Sequence, residues 1–365
     1  MDTIRPLKRQ DIPEVASLYE RVIRSGSRTP PPRLGAYFER TFLDHPWADP
    51  DIPSLVYETT DGSIAGFIGS HVRRLRLDDE RIRAGYSGQL ISDPAVRNRG
   101  AGGLLLRRYL AGPQDVTVTD GATAEVRQMW ERLGGHTAFL GSLGWIRFFR
   151  PFRFAGDYLL KRLERLSWRP LPQPIWSVLD ATAARACGTL LRVPKPSTQA
   201  EQLTPKSLLE HLPLIASHLR VHPDYDEKFL DWLFNEMACV SSRGTLVRQL
   251  VRDHSGRALG WYVAYLQPGG VGQVQQVAAK SQDAAAVIEH LFYHAWESGT
   301  AILRGRLEPL LFEPIRQEHC YLRHDSRVLV HSRNAKLLNA ILTGDGLLTR
   351  MEGEWWMGHH IESFT

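Results

Sequence analysis

Two stretches of chain, one in each half, follow the same plan, and this constrains the fold more than any single motif. In the first half YFERTFLDHPW (37–47) precedes SLVYETTDGSIAGFIGSHVRRL (54–75). In the second, KFLDWLFNEM (228–237) precedes TLVRQLVRDHSGRALGWYVAYL (245–266). Each has an aromatic helix pattern, an apolar run, an aspartate–glycine turn and a second apolar run with a glycine–aromatic pair, Gly66-Phe67 or Gly260-Trp261. Runs joined by Asp61-Gly62 carry the strongest short hairpin signal. An order of elements that recurs through both halves predicts two copies of one α/β unit. The chain has 365 residues, enough for two domains.

The remainder of the first half extends the plan. IRPLKRQDIPEVASLYERVI predicts a short strand and then a helix from near Asp11, with Ile12, Val15, Leu18 and Val22 on one face. Ile82–Ser92 is a strand, and it feeds DPAVRNRGAGG (93–103) and a helix from about Gly103 to Leu110. DVTVTD (115–120) is a strand, TAEVRQMWERLGG a helix stopped by glycines, and LGWIRFF a last strand. In the second half Val271–Ala279 matches the strand before the glycine loop, and Ala284–Trp296 matches the helix after it. The contiguous division is 1–150, a linker with helices at 151–202, and 203–365.

The glycine loop carries the chemistry. Glycines let the backbone turn sharply and approach a ligand closely. The helix that follows has unpaired N–H groups and a partial positive charge at its start. Together they form an anion site suited to phosphate. The second half has KSQDAA (280–285) in the same place, without glycines, so one phosphate site is expected, in the first half only.

Composition restricts the partners. A net charge of +5 suits an anionic ligand without selecting among small molecules, nucleic acid and membrane surfaces. Cys187, Cys239 and Cys320 lie far apart, which fits neither a disulfide framework nor a zinc site. A reducing compartment, no transmembrane segment and a cytoplasmic location are expected. The proline-, arginine- and aromatic-rich stretch after Pro151 reads as packing between domains, with peripheral membrane contact as the other reading. No DNA-binding motif is present, so nucleic acid is not an expected partner.

Arg97, Gly100 and Gly102 fit Arg/Gln-x-x-Gly-x-Gly/Ala between a strand ending in LIS and a helix. This resembles the acyl-CoA-binding motif of the GNAT acyltransferase superfamily. Element order extends the resemblance over roughly residues 4–149, and the second half looks like a degenerate copy. The implied fold is α/β (α+β): two tandem GNAT-like domains, each a mixed, mostly antiparallel twisted sheet flanked by helices. The implied ligand is acetyl-CoA or another acyl-CoA, with no metal. Backbone N–H groups of Asn98, Arg99, Gly100, Ala101, Gly102 and Gly103 would hold the pyrophosphate, with charge from Arg97 or Arg99. Leu90 and Ile91 would bond the pantetheine arm like an added strand, and a backbone N–H near Leu90 would polarise the thioester carbonyl. The strand from Asp115 would splay away from its neighbour, opening a slot. Thr123 and Trp130 fall where the family carries cofactor-side asparagine and tyrosine.

The catalytic pattern departs from the family. The strand before the loop offers Tyr86, Ser87 and Gln89 and no carboxylate. Asp120, at the end of DVTVTD, is the best base candidate; its other reading is a helix cap. Tyr86 is the acid candidate; its other reading is core. The expected activity is transfer of an acyl group to an amine on a small molecule, sugar or peptide bound between the halves. A Fem-type aminoacyl transferase and a non-catalytic CoA- or partner-binding protein are the alternatives. The pair Trp355-Trp356 reads as core or groove lining.

Overall fold

The structure is a computed structural model that describes residues 2–24, 29–152, 154, 179, 180, 182, 191 and 193–364. Most of the stretch predicted as a linker, including Cys187 and the KRLERLSWRP segment, lies outside the described residues. Among the described residues no helix is long and apolar enough to cross a membrane.

The first half forms β1 (Thr3–Pro6), α1 (Ile12–Tyr19), α2 (Leu34–Phe42), β2 (Leu55–Glu58), β3 (Ile64–Leu77), β4 (Glu80–Ser92), α3 (Ala101–Leu110), β5 (Val116–Ala122), α4 (Ala124–Arg132), β6 (His136–Thr137) and β7 (Leu143–Phe148). The predicted elements are present within a few residues. Gly62 closes the β2–β3 hairpin with φ 87°, a conformation open to glycine and costly for most other residues.

The second half forms β8 (Gln199–Gln202), α5 (Pro205–Ala216), β9 (Val221–Pro223), α6 (Glu227–Ala238), β10 (Thr245–Arg252), β11 (Ala258–Leu266), β12 (Val271–Ala279), α7 (Ala284–Glu297), β13 (Ile302–Arg306), α8 (Phe312–Gln317), β14 (Tyr321–His324), β15 (Arg327–Ser332) and α9 (Ala335–Leu342).

The two sheets have the same strand order. One runs β1-β2-β3-β4-β5-β15-β6, with β9 paired to β3; the other runs β8-β10-β11-β12-β13-β7-β14. In each, one parallel pair (β4–β5, β12–β13) interrupts antiparallel pairing. The sixth strand is exchanged: β7, from the first half, joins the second sheet, and β15 joins the first. The compact units are therefore not contiguous in sequence. Unit 1 is Met1–Ser142, Leu219–Val240 and Ser326–Thr365; unit 2 is Leu143–His218 and Ser241–Asp325. The contiguous division expected from sequence differs from these units because strand pairing, not chain order, places β7, β15 and α6.

In unit 1 both aromatic helices, α2 and α6, are present, and Trp47 stacks on Phe229 with ring centroids 3.6 Å apart. One face of the sheet is covered by α3 and α4 through Leu105, Leu106, Tyr109 and Trp130. On the other face, Tyr86, Val118 and Val330 pack with Leu337 and Ala340 of α9. In unit 2, α7 packs Val287, Ile288, Leu291 and Phe292 onto β11 and β12. Each such fully buried side chain contributes about 1.5–3 kcal/mol.

Candidate functional site

The loop after β4 is a two-turn 3-10 helix, Pro94–Arg99, started by Asp93, whose side chain accepts from the Ala95 N–H at 2.9 Å. Asp93 also pairs with Arg21 at 2.5 Å. It is therefore a structural residue. Gly100 then takes φ 71° and opens α3. Leu104 N–H donates to the Gly100 carbonyl at 3.0 Å, so the helical ladder begins there. Ala101, Gly102 and Gly103 lie in the first turn, where N–H groups have no intrahelical acceptor.

Two glycines face open space. A Cβ on Gly103 would meet nothing within 4 Å, and one on Gly102 only Ser92 Oγ at 3.8 Å. Packing does not explain glycine at either position, and both leave the backbone open to close approach. Arg97, Asn98 and Arg99 are exposed, while Ala101 turns its methyl into the core. Arg99 pairs with Asp2 at 3.1 Å, and Arg97 forms no ion pair among the described residues. α3 is anchored behind the loop by Leu105, Leu106, Tyr109 and Leu110, all buried.

A wedge opens beside this loop. β4 and β5 pair only at Ala84↔Val116, Gly85↔Thr117 and Tyr86↔Val118. Both strands continue, to Ser92 and Ala122, without pairing to each other. The splayed slot expected from the sequence is present, bordered by Gly88–Ile91 and Thr119–Ala122. Along the slot β4 carries a bulge: Phe67 pairs with Ile91 and Gly69 with Gly88, which leaves one extra residue on β4. Gln89 in the bulge has φ 48°, a left-handed conformation that costs a non-glycine residue about 1–3 kcal/mol and is concentrated at functional sites. Ile91 is buried and Leu90 half-buried behind it.

The wedge contains a carboxylate that sequence reading missed. Glu354 lies on the segment after α9 that returns to the first sheet. A Cβ on Gly88 would fall 2.5 Å from Glu354 Oε2, and one on Gly121 only 2.3 Å from Oε1. Glycine on both rims is thus what admits this carboxylate. Gln89 Nε2 donates to Glu354 Oε2 at 2.6 Å and is 2.7 Å from His359 Nε2. The Glu354 backbone N–H donates to Asp120 Oδ1 at 3.1 Å, and the Trp355 indole donates to the Asp120 carbonyl at 2.9 Å. Glu354 is half-buried, yet burial followed by the negative charge of Asp120 pushes its carboxyl well above the usual carboxylate range. Nothing in the composition of MEGEWWMGHH points to the wedge; the only sequence signal was the pair of small residues at Gly88 and Gly121.

The other expected residues divide. Asp120 is 2 % exposed and faces the wedge. It does not cap α4; Thr123 does, accepting from the Val126 N–H at 3.3 Å. Thr123 therefore has a structural job at the position where a cofactor contact was expected. Trp130 is 1 % exposed and packs in the core under α3. Its indole fills the space that glycine leaves at Gly135, whose Cβ would lie 2.9 Å away. Tyr86 is also core, between Val116 and Val330, below the point where the strands part. Trp356 is fully buried and Trp355 partly so, with its indole on Asp120.

No family defined from sequence matches the chain, and no curated protein matches it. Solved structures do. A GCN5-related N-acetyltransferase from Anabaena variabilis superposes with a TM-score of 0.59 at 13 % identity, over 93 % of this chain and 75 % of that one. One from Kribbella flavida gives 0.55 at 14 % identity, over 91 % and 72 %. Saccharomyces cerevisiae N-myristoyltransferase with bound myristoyl-CoA gives 0.50 at 8 % identity, over 92 % and 83 %. The chain has the GNAT fold, built on two mixed sheets flanked by helices.

Proposed function

We propose that this protein is an acyl-CoA-dependent N-acyltransferase, with acetyl-CoA the simplest donor and an amine the acceptor. The observation that carries the reading is the conjunction of an open glycine-started helix with a splayed, bulged strand pair beside it. N–H groups from Asn98 to Gly103 hold the donor's pyrophosphate, with Arg97 adding charge. The edge of β4 at Leu90 and Ile91, which does not pair with β5, receives the pantetheine arm as an added strand, and a backbone N–H near Leu90 polarises the thioester carbonyl.

The acceptor amine attacks the carbonyl carbon as a neutral nucleophile. The C–N bond forms, the C–S bond breaks, and the CoA thiolate leaves and takes a proton from water. The amine must lose a proton, and the wedge supplies the base. Asp120 and Glu354 are close enough to repel as two anions, so the pair retains a proton to higher pH than an isolated carboxylate. Such a base is poised nearer neutrality, where proton transfer is most effective. Asp120 also fixes the backbone at Glu354, so we assign Glu354 as the proton acceptor and Asp120 as the residue that positions and tunes it. Tyr86 remains the acid proposed from sequence, but its core packing offers no path to the thiolate without a side-chain movement.

Calorimetric titration with acetyl-CoA and, in parallel, with medium- and long-chain acyl-CoA tests the reading. One site per chain, with a preference among donors, supports it. No binding to any donor overturns it.

A further inference from the structure

We propose that unit 1 binds a divalent transition metal of the zinc type through Glu354, His359 and His360. Among the described residues these are the one group of three histidine, cysteine or carboxylate side chains whose ligand atoms converge, all lying within 4.8 Å of one another. One carboxylate and two imidazoles are a ligand set that zinc accepts. A turn makes the cluster. The Met357 N–H donates to the Glu354 carbonyl at 3.0 Å, and the Gly358 N–H donates to the Tyr37 hydroxyl of α2 at 3.1 Å. The two histidines are thereby brought back beside the carboxylate.

Two of the lone pairs already aim at one point. Glu354 Oε2 and His359 Nε2 both accept from the Gln89 amide nitrogen, at 2.6 and 2.7 Å. A carboxylate and an imidazole that share one positive partner are placed to share a cation. Turned end for end, the same amide offers Oε1 in place of Nε2 and becomes a fourth ligand. His360 is held from behind. The Tyr19 hydroxyl of α1 stands 2.9 Å from His360 Nδ1, and Tyr19 is fully buried, so it orients the ring with Nε2 as the coordinating nitrogen. Asp120, 2 % exposed, adds a second negative charge beside Glu354, which favours a cation in the wedge.

Tetrahedral zinc holds its ligand atoms about 3.3 Å apart. His360 is exposed, so rotation of its ring supplies the closure, and its side of the cluster is where an ion enters. Binding engages the Glu354 carboxylate that the acyl-transfer reading assigns as proton acceptor, so a bound ion and transfer exclude one another. That consequence rests on the acyl-transfer reading; the site itself does not.

The experiment is zinc titration of the chelator-stripped full chain by calorimetry, with cobalt absorption as a second readout. We expect one zinc per chain and at least about tenfold weaker binding for His360→Gln and for Glu354→Gln, with about 10–100-fold weaker binding for Tyr19→Phe, which removes only the orienting hydroxyl. Absence of zinc binding, or parent-like affinity in either ligand variant, overturns the site. Should a variant fold poorly, mass spectrometry of the unaltered chain decides, because the chain has 14 histidines. Zinc should shield His360 from diethyl pyrocarbonate, and shielding of other histidines in its place overturns the proposal. Turnover should fall as zinc fills the site; full turnover with zinc bound overturns Glu354 as proton acceptor and leaves the site. Acetyl-CoA titration of the same preparation separates the two readings. Zinc binding without acetyl-CoA binding overturns the transfer reading alone, and acetyl-CoA binding without zinc binding overturns the site alone.

Discussion

After β4 the chain takes a 3-10 turn, Pro94–Arg99, and Gly100 before its helix begins; after β12 it reaches the equivalent helix through Lys280–Asp283. Strand order and parallel register make the two places equivalent: Ala84↔Val116 in one sheet corresponds to Val271↔Ile302 in the other. Both second members of the hairpins carry a bulge. Yet the second loop has no glycine, and Asp283 at the start of α7 pairs with Arg257 at 3.1 Å. A carboxylate there occupies the positive end of the helix and repels phosphate.

The wedges differ in the same sense. Counting from the parallel pair, Arg306 stands where Asp120 does. An indole donates to the backbone carbonyl in both places, from Trp355 to Asp120 at 2.9 Å and from Trp145 to Arg306 at 3.0 Å. The strand order is shared and the charges are not. Among the described residues, unit 1 has a glycine-started helix and a carboxylate pair at the wedge, and at the equivalent places unit 2 has Asp283 and Arg306.

The sharpest way to break this comparison is Glu354→Gln. It should lower turnover by about 10²–10⁴-fold, the range for a lost general base, and leave acyl-CoA affinity unchanged. Turnover of the parent should rise with pH through the elevated pKa of the pair, and the variant should lose that limb. A parent-like pH profile would remove Glu354 from the mechanism. The folded state favours the protonated form of Glu354, so its contribution to stability is complete below the ordinary carboxylate pKa and is lost as pH rises through the elevated one. The Tm of Glu354→Gln relative to the parent should therefore climb from weakly acid to weakly alkaline pH.

Gly103→Leu should weaken acyl-CoA binding by about tenfold or more, since one lost charge-assisted contact is worth about 1.5–3 kcal/mol. Because a side chain there meets nothing in the protein, thermal unfolding should stay unchanged or improve slightly. Equal loss of binding and stability would mean that the glycine serves the fold. Gly100→Ala makes the contrast: its left-handed backbone makes the substitution cost about 1–2 kcal/mol with or without ligand. Asp120→Asn keeps an acceptor for the Glu354 N–H but removes a charge. The pH limb should move toward lower pH, and an unmoved limb would show that the two carboxylates do not interact. The smallest effect is in unit 2. Arg257→Ala removes the exposed partner of the buried Asp283 and should lower stability by a small amount, about 1 kcal/mol, with acyl-CoA binding unaltered.

Local chemistry made much of this legible. Period-two apolar runs, Asp61-Gly62 and the glycines after Ser92 each act over a few residues, so they mark strands, a hairpin and an anion loop wherever the chain goes. The repeat was visible because it lies in the order of such local signals. For Thr123 and Trp130 a family position says nothing about which neighbour takes the side chain: the helix terminus takes the hydroxyl, and the indole packs at Gly135. Asp120 lies at the wedge, and its contacts there depend on a partner 234 residues away.

The sequence by itself determined the elements, their repetition, and the single loop whose glycines suit an anion, because turn chemistry, periodicity and helix-end electrostatics are local. Only the tertiary structure decided that β7 and β15 change sheets, that the segment after α9 returns to the first sheet, and that Glu354 fits between Gly88 and Gly121. Those outcomes depend on edge-strand pairing and on space left by absent side chains, and neither is written at any one place along the chain.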